Sequence, residues 1–390
     1  MTKHRPQFDL LIRAARLFCS ATNWDGPGEI AVQDGRIVAV DLRIPGDFHE
    51  SLDAPEAVVV PGLIDLHAHP ANSGSVFGVA PDEHMLPHGV TTVLSQGDAG
   101  ADHCAEYLDH TINRSQTRIR LAINLSRIGE TTMDGCFEQL ADADVERCIN
   151  AIARHRDAIW GIAVNVSHIA CGKTDPQRVL ERGLRAAEAC GAPILYGLRR
   201  PEDWSLRLQL ERLRPGDVVT YCYRRQPHCI VDRGRVLPEV RAARERGILF
   251  DLGHGAASFD FAVAETAIGE GFPPDTISTD LQIRHLEMSP RHDLPRTMAK
   301  LKAAGMPDVD VFTAVSHTPA TIMRMFPETG CLRPGSSADL AILRWSNEPE
   351  ELRDAAGNIR IGGAWYSIAT VRNGQIVKPD SKPKLGKVES

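Results

Sequence analysis

No apolar run in this 390-residue chain approaches the ~20 residues that a membrane-spanning helix requires. The opening, MTKHRPQFDLLIRAARLF, lacks an apolar core followed by a small-residue cleavage site. A secretory leader is therefore not expected, and the expected location is cytoplasmic. The nine cysteines include no C-x-x-C pair and are odd in number. That argues against a disulfide framework and for a reducing compartment. Positive charge is in deficit, with 44 Lys and Arg against 51 Asp and Glu and a net charge of -7. Neither nucleic acid nor an anionic membrane is then the expected partner. No G-x-G-x-x-G follows the first buried strand, so the main argument for a doubly wound nucleotide-binding sheet is missing.

What is present is the composition of a soluble globular protein, 43% hydrophobic and 24% charged. The length suits a barrel with an added module and a core that needs no staples. Eight short apolar segments recur at 63–67, 90–97, 118–126, 159–167, 192–198, 218–223, 248–254 and 276–281. Helix-compatible stretches such as 145–156, 176–190, 237–246 and 259–270 lie between them. Near-continuous apolar strands alternating with amphipathic helices predict a parallel sheet, and eight units predict an α/β (β/α)8 TIM barrel. The ends read differently. V-Q-D-G-R-I-V at 32–38 and V-R-N-G-Q-I-V at 371–377 carry the Asp-Gly and Asn-Gly signals of tight hairpins. S-A-D-L-A-I-L at 337–343 reads as a further strand, so both termini are expected to be β-rich and to pair. The Lys/Pro/Ser-rich end, 381–390, reads as a flexible tail.

The most informative segment runs V-V-V-P-G-L-I-D-L-H-A-H from Val58 to His69. Residues i and i+2 of a strand share a side, so His67 and His69 can offer two imidazoles to one ion. Polar residues also tip the other strands, where a barrel places its active site. They include Ser95, Gln96 and Asp98, then Asn165, Ser167 and His168, then His254 and Asp280. Asp98 has two readings, an extra metal ligand or the N-cap of a helix over 99–108. His168 is either a replacement ligand or a surface loop residue. Cys222 and Cys229 fit no metal spacing, and His84 and His88 lack the H-E-x-x-H glutamate.

These elements together resemble the amidohydrolase superfamily, in its amidohydrolase/deacetylase and dihydroorotase-like branch. The resemblance rests on P-G-L-I-D-L-H-A-H, H-G-V-T-T-V at 88–93, P-G-D-V-V-T at 215–220, F-D-L-G-H-G-A-A-S-F at 250–259, P-D-T-I-S-T-D-L at 274–281, T-P-A at 318–320 and L-R-P-G-S-S-A-D-L at 332–340. It implies a small β-sandwich domain from both termini (1–60 with 331–380) around an inserted barrel (61–330). It also implies that Asp280 binds metal and relays a proton, and that His254 faces substrate. Dimers or larger homo-oligomers are common in the family.

The departures from that pattern matter as much. Where the family carries a lysine on strand four, this chain has Ala163, and the usual histidines of strands five and six are Tyr196 and Tyr221. A conventional two-zinc site is therefore not expected. His67, His69 and Asp280 suffice for one catalytic divalent ion, zinc first, with iron or manganese as alternatives. Tyr196 and Tyr221 either polarise the substrate carbonyl and hold an oxyanion, or fill the space of an abandoned metal. The replacements are twinned, Tyr196-Gly-Leu-Arg199-Arg200 and Tyr221-Cys-Tyr223-Arg224-Arg225. Arginine forks suit carboxylates, so Arg199, Arg224, Tyr223 and Asn165 are candidate contacts to a small anionic substrate. The other reading of the arginines is pairing with Glu202, Asp203 or Asp217. The expected function is metal-dependent hydrolysis of an amide, cyclic amide or ester bond in a small carboxylate-bearing molecule. Its rivals are a lyase, isomerase or iron-dependent enzyme using the tyrosines, and a ligand-binding relative without catalysis.

Overall fold

The computed structural model of the chain describes residues 7–133, 135–199, 203–226 and 229–379. The expected tail at 381–390, and Arg200 and Glu202 of the strand-five loop, lie outside the described residues. Two seven-stranded sheets organise the rest.

The first sheet is made by both ends of the chain. Its spatial order is Gln375–Val377, Ile359–Arg372, Leu340–Arg353, Phe48–Pro61, Phe8–Cys19, Trp24–Gln33 and Arg36–Asp41. The ends meet where Val58 to Pro61 pairs antiparallel with Leu340 to Leu343. Both hairpin tips take the conformation their sequences predict, with φ of 49° and 72° at Asp34-Gly35 and of 51° and 80° at Asn373-Gly374. The strand expected at 337–343 starts at Leu340 and continues to Arg353. All seven strands share one hydrogen-bonded sheet, which encloses a core of its own around Leu10, Ile12, Ile30, Val59, Leu340 and Val371.

The second sheet is wholly parallel and in sequence order. It comprises Leu63–Ala68, Val90–Gln96, Arg118–Asn124, Ile159–Asn165, Ile194–Gly197, Val218–Thr220 and Leu249–Phe250. Parallel neighbours need crossovers; helices Val145–Arg154, Pro176–Cys190, Leu206–Arg212 and Pro238–Glu245 lie in four of them, and Phe261–Gly269 follows the seventh strand. Asp144, Asp175 and Asp260 cap three of these helices by accepting a first-turn N–H, which supplies one of the orphan donors with a partner. A mixed α/β fold with this sheet and a β domain fits the expected TIM-barrel class.

Two differences from the expected strands shape the site. The sixth and seventh strands stop at Thr220 and Phe250, because the chain leaves the extended region at Tyr221 (φ 66°), Gly253 (φ 52°) and Gly255 (φ 46°). The eighth segment forms one parallel bridge, Asp251 with Thr276, and is otherwise irregular. It still touches both edges of the sheet. His254 N and Gly255 N donate to the carbonyls of Ser278 and Thr279, while Asp280 N donates to His67 O at 2.6 Å and His69 N to Leu281 O at 3.0 Å. Asp280 is thereby held between the first and last strands with φ of 50°.

The two sheets meet at the entrance to the first parallel strand. A Cβ at Gly62 would lie 2.1 Å from Thr91 Oγ1, so only glycine lets the Pro61-Gly62 joint pass so close. Beside it, buried Asp339 accepts from Arg372 at 2.9 Å and pairs with Arg118 at 3.3 Å, tying the terminal sheet to the third parallel strand.

Candidate metal centre

His67 and His69 are buried at the end of the first parallel strand. Their Nε2 atoms converge on one oxygen, Asp280 Oδ1, at 3.5 and 3.2 Å. One ligand atom from each of the three lies within 4.8 Å of the others. Gln282 Nε2 donates to the same Oδ1 at 2.7 Å and holds the carboxylate in this orientation. Burial pushes the Asp280 carboxyl up, but the two imidazoles outweigh it and hold the group well below the usual range.

The far nitrogens of both histidines are occupied by oriented acceptors. His67 Nδ1 lies 2.7 Å from Thr220 Oγ1, and Thr220 donates its single proton to Asp251 Oδ2 at 2.8 Å. Thr220 must then accept from His67 Nδ1–H, which leaves Nε2 as the nitrogen that can turn to an ion. Ser278 and Thr276 donate to the same buried Asp251 carboxylate. His69 Nδ1 faces Asp98 Oδ1 at 3.0 Å and Glu130 Oε2 at 3.1 Å. Burial pulls His69 down, yet these two carboxylates raise it well above its ordinary value. Asp98 is fixed in turn by the hydroxyls of Ser75 and Ser95, both at 2.6 Å. Such carboxylate–histidine pairs orient ligands to a metal and set their tautomer. Thr220→Val should weaken retention of a divalent ion by about 10- to 100-fold. Competition with a chromophoric chelator measures this, and unchanged retention would mean that the Thr220 link does not orient His67.

Tyr221 completes the immediate surroundings. Its hydroxyl lies 3.4 Å from His67 Nε2, and its ring is 5.0 Å from the His67 ring. A positive φ is a genuine outlier for a bulky residue, and here it turns the side chain onto the cluster. Burial, with Asp280 adding to it, raises the phenol well above its ordinary value, so it stays a proton donor. The Arg224 guanidinium covers the Tyr221 ring at 4.5 Å and donates to Ser258 Oγ at 3.2 Å.

The other candidates are placed elsewhere. Tyr196 is fully buried within its strand, and its hydroxyl donates to Gln209 Oε1 at 3.0 Å. Tyr223 is equally buried and donates to the Phe272 carbonyl at 2.9 Å. The twin pattern is thus not twinned in space, because Tyr196 sits in regular strand whereas Tyr221 sits just past one in the left-handed region. Arg199 pairs with Asp203 at 2.9 Å, and His168 contacts the same carboxylate. Asn165 Oδ1 accepts the Ser167 N–H at 3.0 Å. Asp98 caps no helix, since the first helical turn there is Cys104–Tyr107 with His103 at its N-cap. Gly255, the residue after His254, lies against Asp280, a Cβ on it falling 2.3 Å from Asp280 Oδ2; the His254 ring packs on Phe259 and His292. Both its nitrogens are engaged: Nδ1 donates to the Gly255 carbonyl at 2.8 Å and Nε2 accepts from Lys300 Nζ at 2.9 Å.

Glu130 is the residue that reading the sequence overlooks. Gly129, at φ 63°, lets its loop approach the Asp98 backbone, and Glu130 N donates to Asp98 O at 3.2 Å. The available signal was a carboxylate just beyond the third strand, in S-R-I-G-E. A cleft of about 380 Å³ is lined by Ser75, Asp98, His103 and Tyr107 among others.

No family model matches the chain. Among curated proteins it is 33% identical to a deacetylase of Brucella anthropi over 332 residues, 84% of this chain and 81% of that one. It is 30% identical to a deacetylase of Enterococcus faecalis over 356 residues, 90% and 95% of the two chains. Among solved structures, an adenine deaminase superposes with a TM-score of 0.87 at 30% identity, covering 95% of this chain and all of that one. A dihydroorotase gives 0.84 at 28%, covering 95% and 99%. No helix among the described residues is long and apolar enough to cross a membrane. With its fold, its His/His/Asp cluster and these relatives in agreement, the chain belongs to the amidohydrolase superfamily of hydrolytic enzymes, on the deacetylase branch.

Proposed function

We propose that this enzyme hydrolyses an amide, cyclic amide or ester bond in a small carboxylate-bearing molecule through a mononuclear site. One divalent ion, zinc first, would be held by His67 Nε2, His69 Nε2 and Asp280 Oδ1. The observation that carries this reading is the spacing of those atoms. Ligands held at about 2.0–2.2 Å around one tetrahedral ion stand roughly 3.3–3.6 Å apart, and Asp280 Oδ1 stands 3.5 and 3.2 Å from the two imidazoles. When bound, the ion supplies Lewis-acid activation of water and of the scissile carbonyl. Asp280 Oδ2 has no hydrogen bond among the described residues. It is the atom that takes the proton of the attacking water and returns it to the leaving group. Tyr221 OH donates to the oxyanion. Asp98 and Glu130 orient His69 rather than carry substrate, and His254 positions the Asp280 loop. Residues 61–330 make up a complete (β/α)8 barrel with 276–281 as its eighth stave, and 1–60 with 331–380 fold over as a β-sandwich. Arg224, above Tyr221, is the anion contact. Arg199, spent on Asp203, supports the loop.

Metal analysis of the purified protein tests the reading. One equivalent of zinc with hydrolysis of N-acyl amino acids or ring amides supports it. Two equivalents would mean that His69, Asp98 and Glu130 hold a second ion. Arg224→Ala should raise KM for a carboxylated substrate while Arg199→Ala does not, and an unmoved KM in both would remove the anionic substrate. One observation favours a second reading: Tyr221 OH stands 3.4 Å from His67 Nε2, at the spacing of a fourth ligand. Iron with a visible phenolate band, lost in Tyr221→Phe, would decide for it.

A further inference from the structure

Two polar groups beside Asp280 have no use in the reaction just described. Gln282 is 5% exposed and donates through Nε2 to Asp280 Oδ1 at 2.7 Å, which fixes the orientation of its amide. Oε1, one amide's width from that nitrogen, has no hydrogen-bond partner. His285 is 2% exposed. Its Nδ1 accepts the Gln282 backbone N–H at 3.1 Å, so the neutral ring carries its proton on Nε2. Nε2 also has no partner. Gln282 and His285 are arranged as a capping box, with the Gln282 side chain facing the His285 backbone N–H, but that N–H donates to the Gln282 carbonyl at 2.8 Å. The His285 ring lies 4.5 Å from that of His292, whose Nε2 donates to the Thr279 carbonyl at 2.8 Å, and this packing holds the ring in place. Burial lowers His285 to about 4, against the opposing field of Asp280, so at neutral pH it offers an N–H without a charge. Buried donors and acceptors are almost always satisfied, and a pair left open beside a catalytic carboxylate points to a ligand.

We propose that Gln282 and His285 read the scissile group: His285 Nε2–H donates to its acyl oxygen, and Gln282 Oε1 accepts from its nitrogen-bound hydrogen. The inference rests on the hydrolase reading above and narrows it. A group offering both an acceptor and a donor is an amide or cyclic amide with a free N–H. An ester lacks the donor, and so does an N-alkylated amide.

Three matched ligands isolate that hydrogen: N-acetylglycine, N-acetylsarcosine and acetoxyacetate. Their dissociation constants are measured by calorimetry on the protein as purified, with its metal content recorded. The wild type should bind N-acetylglycine at least about tenfold more tightly than the other two, because a site built to pair a polar group rejects analogues that lack it. Gln282→Leu should erase that preference, and His285→Phe should weaken all three ligands to a similar extent. A mere structural role would lower affinity without equalising the three. Equal binding of the three by the wild type, no binding of any, or a preference that survives in Gln282→Leu each overturns the inference. A retained preference in protein that carries no metal and hydrolyses nothing would sink the hydrolase reading and leave this one standing. Metal and hydrolysis without the preference would do the reverse.

Discussion

Asp280→Asn should lower kcat/KM by about 10³-fold while leaving the fold intact. The change keeps the size of the side chain and an oxygen for Gln282 Nε2 to meet at 2.7 Å. It removes the negative charge on which His67 and His69 converge and the oxygen that shuttles the proton. Both losses fall on one residue because both roles need the same carboxylate, held between the first strand and the irregular eighth segment. Asp280→Glu separates them. It restores charge but adds a methylene at a residue with φ of 50°, so it should recover metal retention more fully than turnover. The pair is read by metal stoichiometry and by steady-state kinetics on the same preparations. Activity within about tenfold of wild type in Asp280→Asn would be too small a loss for a general base and would move that role elsewhere.

The residues behind this expectation differ in how legible they are. The strand from Leu63 to His69 announces itself, because burial, the Pro-Gly joint and period-2 geometry are all local properties. The Asp34-Gly35 and Asn373-Gly374 hairpins are legible for the same reason, since a positive φ at two successive residues is a demand on sequence. Thr220 and Asp251 are not, because the link from His67 exists only once the fold brings the first strand, at one edge of the sheet, to the sixth and seventh at the other. Glu130 reaches His69 from a loop whose course depends on Gly129 passing the Asp98 backbone. The two tyrosines show the limit most clearly. Tyr196 and Tyr221 sit in near-identical sequence, and only backbone conformation sends one hydroxyl to Gln209 and the other to His67.

Lys300 looks, in sequence, like a solvated charge on a helix, and its burial leads to the second large effect. It lies within Leu294–Ala303, is 7% exposed, and has His254 Nε2 as its one hydrogen-bond partner among the described residues. No carboxylate of the described residues pairs with it. Burial lowers it from 10.5 to about 8, with Arg296 adding to the shift and Asp293 and Asp354 opposing it; His254, His292 and His285 are the titratable rings nearby. Between pH 8 and 10.5 the unfolded chain therefore holds more proton at this residue than the folded one, and stability gained from it rises with pH across that window. The full swing is about 3 kcal/mol, a cost to the folded state that is complete below pH 8. Lys300→Met lacks this cost but leaves His254 Nε2 without its donor, which takes back about 1–3 kcal/mol. At pH 7 the variant should then be as stable as the wild type or more so. On raising the pH to 10.5 the comparison should move toward the wild type by about 3 kcal/mol. Urea unfolding of both proteins at pH 7 and pH 10 measures the difference. A gap that does not change with pH would show that Lys300 titrates alike in the folded and unfolded chain, and that its contact with His254 does not confine a buried charge.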